Sequence, residues 1–120
     1  MNAAPSRRVT PYALPGMLAE IARFTSVDAA IAIARAFGGS NISLPRAPKP
    51  GHRLALLVGP EAAVIICKRF GGERWDIPSA RPFLHWHDAH RLRDEGLSVS
   101  AIARRLGIGE RRVRKLLEGR

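Results

Sequence analysis

The 120-residue sequence predicts a mainly α-helical chain with short β-strands, organised as an N-terminal helical domain that carries the strands and a C-terminal helix-turn-helix. Three observations carry that prediction. Residues 98–117, SVSAIARRLGIGERRVRKLL, put Ile102, Ala103, Leu106, Gly107, Ile108, Val113 and Leu116 at the spacing by which two short helices bury one shared face across a tight turn. Residues 27–45 recur at 60–78, each time as an apolar helical run, a Phe-Gly-Gly stop and a short alternating segment ended by proline. Proline- and glycine-rich stretches separate these units and keep every element short.

Taken in order, residues 1–13 hold the basic pair Arg7-Arg8 and no long apolar run before Pro11 and Pro15, so they are expected to form a flexible arm rather than a secretory signal. From Leu14 to Phe24, the residues Leu14, Met17, Leu18, Ile21 and Phe24 share one helical face, and Pro15 is tolerated in the first turn. The repeat follows. VDAAIAIARAFGGSNISLP over PEAAVIICKRFGGERWDIP is identical at seven of nineteen positions, with conservative pairs such as Asp28 with Glu61 and Arg35 with Lys68. Ser26 and Gly59 precede the two helices as caps, and Asp28 and Glu61 lie near their positive ends. The segments Asn41 to Leu44 and Arg74 to Ile77 then alternate, with Ile42 and Leu44, or Trp75 and Ile77, on the buried side. Between the copies, RAPKPGH (46–52) is expected to be an exposed basic connector. A last helical stretch over residues 80–95 places Trp86, Ala89 and Leu92 together and ends at Gly96. These readings divide the chain into an arm (1–13), an N-terminal domain with an internal repeat (14–78), a linker (79–82) and a helix-turn-helix domain (83–120).

Charge narrows the partners. Twenty Lys and Arg against ten Asp and Glu give a net charge of +10, and residues 98–120 alone hold seven basic side chains against two acids. A polyanion is the natural partner of such a chain, and double-stranded DNA suits the helical motif. One cysteine, Cys67, excludes an internal disulfide and is expected to be a buried thiol. No apolar run approaches the ~20 residues of a membrane span, so the expected location is the cytoplasm, at the nucleoid, with no membrane partner. The histidines of HWHDAH (85–90) lie at spacings that make a poor metal site, and the Gly-Gly pairs lack the residues of a phosphate loop. With no catalytic constellation, no enzyme activity, metal or cofactor is expected.

About 80 residues are few to cover apolar helices such as AAVIIC (62–67), so the N-terminal domain is expected to dimerise. Leu18, Ile21, Ile31, Val64, Ile65 and Ile66 are the residues expected at that interface. Two copies of a reading helix ~34 Å apart would match a palindrome. Pairing of the strands within a chain and between chains are both open on this reading.

On the second helix of the motif, Gly109 to Leu117, Val113 and Leu116 face inward, which leaves Gly109, Glu110, Arg111, Arg114 and Lys115 toward the groove and Arg112 on a phosphate-facing flank. Arginine can fork to guanine O6 and N7, and a glutamate can accept from cytosine N4, so Arg111 and Arg114 are the leading base readers. Ser98 caps the preceding helix, whose amide end suits a phosphate, and Arg104 and Arg105 lie where the backbone would cross it. Arg74 and Arg81 flank the linker and could reach the DNA backbone or minor groove.

The order LPGMLAEIA, AFGGSNISLP, RFGGERWDIP and EGLSVSAIARRLGIGERRVRKLL resembles the Mor/C family, the activators of middle and late transcription of Mu-like phages, over residues 14–118. The resemblance implies an N-terminal dimerisation domain, a short strand-bearing linker near DNA, a C-terminal helix-turn-helix and recruitment of RNA polymerase. One departure is Asn41-Ile42-Ser43-Leu44, where a more aromatic or β-branched strand is expected. A repressor or architectural DNA-binding protein, and a targeting fragment of a recombinase or terminase, are the competing readings.

Overall fold

The computed structural model describes residues 12–118, which form a mainly helical chain with one small two-stranded antiparallel sheet. Its elements are α1 (Gly16–Phe24), α2 (Val27–Phe37), β1 (Asn41–Leu44), α3 (Arg53–Val58), α4 (Pro60–Phe70), β2 (Glu73–Asp76), α5 (Arg81–Asp94), α6 (Val99–Leu106) and α7 (Glu110–Glu118). They gather into two compact units that divide between Ala80 and Arg81. Arg81 and Pro82, which fall both in the expected linker and in the helical stretch expected over 80–95, are the first residues of α5: proline is accepted in a first turn because its missing N–H has no helical partner there. Residues 1–11 of the expected arm lie outside the described residues. Tyr12 belongs to the C-terminal unit, where its ring stacks on Trp86 at 6.2 Å.

In the N-terminal unit the repeat is a structural one. Helices α2 and α4 both span eleven residues and both end at Phe-Gly-Gly. The first glycine of each pair has no room for a side chain, since a Cβ on Gly38 or Gly71 would strike the Ala34 or Cys67 carbonyl oxygen. The second turns the chain at φ 83° (Gly39) or 88° (Gly72), a region that glycine enters without strain. The strands that follow pair with each other within the chain, Asn41 opposite Asp76 and Leu44 opposite Glu73. Ile42 faces Trp75, and shifting either by the repeat offset gives the other, so an approximate two-fold axis passes between them. The flanking bonds obey it as well: Gly39 N–H donates to the Ile77 carbonyl at 2.8 Å and Gly72 N–H to the Leu44 carbonyl at 2.7 Å. The NISL strand therefore pairs despite its low aromatic content, because the backbone at both ends is held by the glycine turns.

The duplication reaches further back than the sequence comparison showed. α3, absent from the sequence reading, stands to α4 as α1 stands to α2, and the same offset places Ile21 on Leu54 and Ala22 on Ala55. Its first turn is held by His52, whose Nδ1 accepts from Leu54 N–H at 3.0 Å, as Ser26 Oγ accepts from Ala29 N–H in α2. α1 packs on α2, α3 on α4, α2 on α3, and α1 touches α4. Met17, Leu18, Ile21, Ala30, Ile33, Leu54, Ala63, Ile66 and the Cys67 thiol are all buried among these helices, and burial pushes the thiol pKa up.

This packing bears on the expected dimer interface. Leu18, Ile21, Ile31 and Ile66 are 0%, 1%, 7% and 2% exposed, enclosed by the other helices of the same chain. Val64 and Ile65 are open, at 47% and 42%. Val64 occupies the position of Ile31, but α4 is less covered than α2: α2 packs on both α1 and α3, whereas α4 packs on α3 and only touches α1. Phe24, expected on the buried face of α1, is also exposed and carries the Arg69 guanidinium 4.0 Å above its ring. Arg69 is in turn 3.7 Å from the Glu20 carboxylate.

The C-terminal unit is a three-helix packing of α5, α6 and α7 around Ala89, Leu92, Ile102, Ala103, Val113 and Leu116. Leu97, Val99, Leu106 and Ile108 close its edges. His90 adds a polar tie between helices, with its Nε2 3.1 Å from the Leu116 carbonyl oxygen.

Candidate nucleic-acid interface

The turn between α6 and α7 sets the direction of every basic side chain that follows. α6 opens on Ser98, whose Oγ accepts from Ala101 N–H at 3.1 Å. It closes on Gly107, which adopts φ 72°, ψ 32° so that Gly107 N–H and Ile108 N–H both reach the Ala103 carbonyl, at 2.9 and 3.1 Å. That left-handed residue and the paired bonds end the helix within one residue and drop Ile108 onto the shared core. Gly109 then supplies the carbonyl that receives Val113 N–H. Gly107→Ala is expected to destabilise the C-terminal unit by about 1–2 kcal/mol, since a Cβ is strained at this φ although space is open around it. Urea unfolding followed by circular dichroism would measure it, and an unchanged midpoint would show that the turn relaxes freely.

With Val113 and Leu116 fully buried, the 100° step of the helix decides the rest of α7. Arg111, Arg114 and Lys115 lie on the outer face, Arg112 on one flank and Glu110 on the other, all of them exposed. Gly109 is exposed at the start of the helix. Glu110 is not idle: its Oε1 is 3.2 Å from Arg114 Nη2, which orients the guanidinium across one helical turn. Both groups are about half exposed or more, so the pair contributes orientation more than stability. Arg104 and Arg105 are exposed at the end of α6. Arg74 and Arg81 belong to different units. Arg74 is exposed on β2, with Nη1 3.5 Å from Ser43 Oγ, and Arg81 is exposed at the start of α5.

The structure also gathers a group that sequence reading missed. Packing of α7 on α5 brings Arg112 to His85, which Arg81 approaches from one turn earlier on α5. Burial, then the Arg112 and Arg81 charges, push the His85 imidazole below its ordinary pKa, against a weaker upward pull from Asp88. Arg81 and His85 stand four residues apart in sequence, but no local pattern could have named Arg112, 27 positions further on. The other histidines have separate roles: His87 Nδ1 lies 3.6 Å from the buried Asp88 carboxylate, which Arg91 also meets at 3.7 Å. Among the described residues, no three His, Cys, Asp or Glu side chains converge as metal ligands.

The lowered His85 pKa has a consequence for stability. The unfolded chain binds the proton more readily than the folded one, so the stabilisation is complete above the ordinary histidine range and is lost as pH falls through it. Melting of wild type is therefore expected to drop more between about pH 7.5 and about 5.5 than melting of His85→Gln, in which this group no longer titrates. Parallel curves for the two proteins would refute the assignment.

Compared with known proteins, the chain matches no family, no curated protein and no solved structure. No helix among the described residues is long and apolar enough to cross a membrane.

Proposed function

We propose that the chain is a sequence-specific DNA-binding transcription activator of phage or prophage type, acting as a homodimer on a palindromic promoter element. The observation that carries this reading is the division of α7: Val113 and Leu116 are sealed into the core while Arg111, Arg112, Arg114 and Lys115 stand open on a helix set by a tight turn against α6. A short helix with one buried stripe and a cationic outer face is what a major groove accepts, and its arginines are the side chains that read guanine edges. In this helix-turn-helix reading, α7 enters the groove, and Ser98, Arg104 and Arg105 of α6 meet phosphates. Arg112, together with Arg81 and His85, meets a phosphate on the flank. Arg74 adds a backbone contact from the other unit.

Self-association uses the N-terminal unit, where Val64 and Ile65 are the exposed members of the expected interface and Phe24, Val27, Leu56 and Leu57 offer further apolar surface. Recruitment of RNA polymerase, and a place in the cytoplasm at the nucleoid, follow from the resemblance to the Mor/C family. Selection of bound sites from a random DNA pool tests the reading. A palindromic consensus supports it, a single half-site supports DNA reading by a monomer, and recovery of unselected sequence overturns it. In vitro transcription from the selected site then separates an activator from a repressor.

A further inference from the structure

We infer that the cavity between the start of α3 and the β1–β2 ribbon is a binding site for a small aromatic carboxylate. The inference rests on the duplicated N-terminal unit and shares only Arg74 with the DNA-binding reading, so it is tested in the absence of DNA and with a substitution at Arg53.

The two-fold relation makes the argument, because it shows what the same space holds in the other copy. There, Trp75 sets its indole edge-on against Phe70, with ring centres 5.0 Å apart and planes at 88°, and Nε1 donates to the Phe70 carbonyl at 2.8 Å. The equivalents of Phe70 and Trp75 are Phe37 and Ile42. Isoleucine cannot reach as far as an indole, and beside Phe37 and Ile42 a cavity of about 320 Å³ opens. That is the lower end of the range in which proteins hold small molecules, ~300–1,000 Å³. Phe37, Leu44 and Leu54 are buried in its walls, so its floor is apolar. The carbonyl that would correspond to the indole's acceptor, that of Phe37, already receives Ser40 N–H at 2.9 Å and Ser40 Oγ–H at 2.7 Å. A ring entering here needs no N–H of its own, which favours a plain phenyl group over an indole.

Charge selects the other half of the ligand. Arg53 lies over the Phe37 ring at 4.8 Å, and Arg74 reaches across the ribbon to Ser43. Both line the cavity, and none of the described residues lining it is acidic. The second copy differs at one of the two cations: Glu20 stands at the position of Arg53, while Asn41 and Arg74, which both line the cavity, exchange places. Arg53 is therefore the charge particular to the side where the aromatic ring is missing. A guanidinium pair at the rim of an apolar slot recognises a planar carboxylate.

Phenylacetate titrated into the full chain, followed by amide and methyl nuclear magnetic resonance, is the test. Saturable shifts confined to Phe37, Ile42, Leu44 and Leu54 are expected, with the uncharged phenylacetamide about tenfold weaker. Cyclohexylacetate should also bind less tightly, because the edge-on contact that Trp75 makes with Phe70 needs an aromatic ring if it is to be repeated at Phe37. Ile42→Trp is expected to abolish binding with an undiminished melting temperature, by building into the first copy the ring the second one has. Ile42→Phe serves the same purpose if the larger residue does not fold, and Arg53→Gln should weaken phenylacetate without affecting phenylacetamide. No saturation at several millimolar, or full binding by a folded Ile42→Trp, overturns the site. Equal affinity for acid and amide overturns carboxylate recognition.

Discussion

Ile66→Ala is expected to destabilise the N-terminal unit by about 2–5 kcal/mol, the range for removing most of an aliphatic side chain from a packed core. Ile66 is 2% exposed on α4, so truncation removes its side chain from the packed core. The approximate two-fold axis supplies a control. Ile33 is its equivalent on α2, equally buried at 2%, so Ile33→Ala should cost a similar amount. A second pair is expected to break the symmetry: Ile31 is 7% exposed and Val64 47%, so Ile31→Ala should be well above, and Val64→Ala within, about 0.5 kcal/mol of wild type. Urea denaturation of the four variants would measure these differences. A small loss at Ile66 with a large one at Val64 would mean that α4 presents its other face to the core.

The second large effect concerns α7. Arg111→Ala is expected to cost about 1–3 kcal/mol on the selected site, a loss of roughly 5- to 150-fold, and to relax preference at one base pair of each half-site. Arg114→Ala should act likewise, with the added effect of freeing Glu110, which otherwise holds that guanidinium at 3.2 Å. Arg104→Ala is the contrasting case: it should weaken selected and random DNA alike and lower the salt slope by about one. Binding isotherms at several salt concentrations separate the two patterns. Equal loss on random and selected DNA for Arg111→Ala would move that residue from base reading to phosphate contact.

The helices of the repeat and the α6–turn–α7 segment were legible in the sequence because local rules specify them: apolar spacing, a capping serine and a glycine stop. Packing partners were not. α3 escaped because LALLV is too short and too uniformly apolar to show a helical period, and the proline-rich connector before it suggested loop. An apolar stripe such as that of Leu18, Ile21, Ile31 and Ile66 records that it is covered, not by what, and here the other helices of the same chain cover it. Phe24 continues the spacing of α1 yet ends exposed, since at the last turn its ring meets a guanidinium instead of the core. Arg112 beside His85 depends on how two helices cross, which no run of residues spells out.

The self-pairing of β1 and β2 changes what dilution can do to this molecule. A sheet assembled from two separate half-length chains would come apart as their concentration fell, whereas here each strand's partner is tethered to it, and closing the loop between them costs an entropy that grows only with the logarithm of its length. Tethering also lifts a restriction on composition. Between identical chains any residue on the axis appears twice, so a tryptophan there would have to pack against its own copy. Within one chain the two sides can differ, which is how an indole at 75 faces an isoleucine at 42.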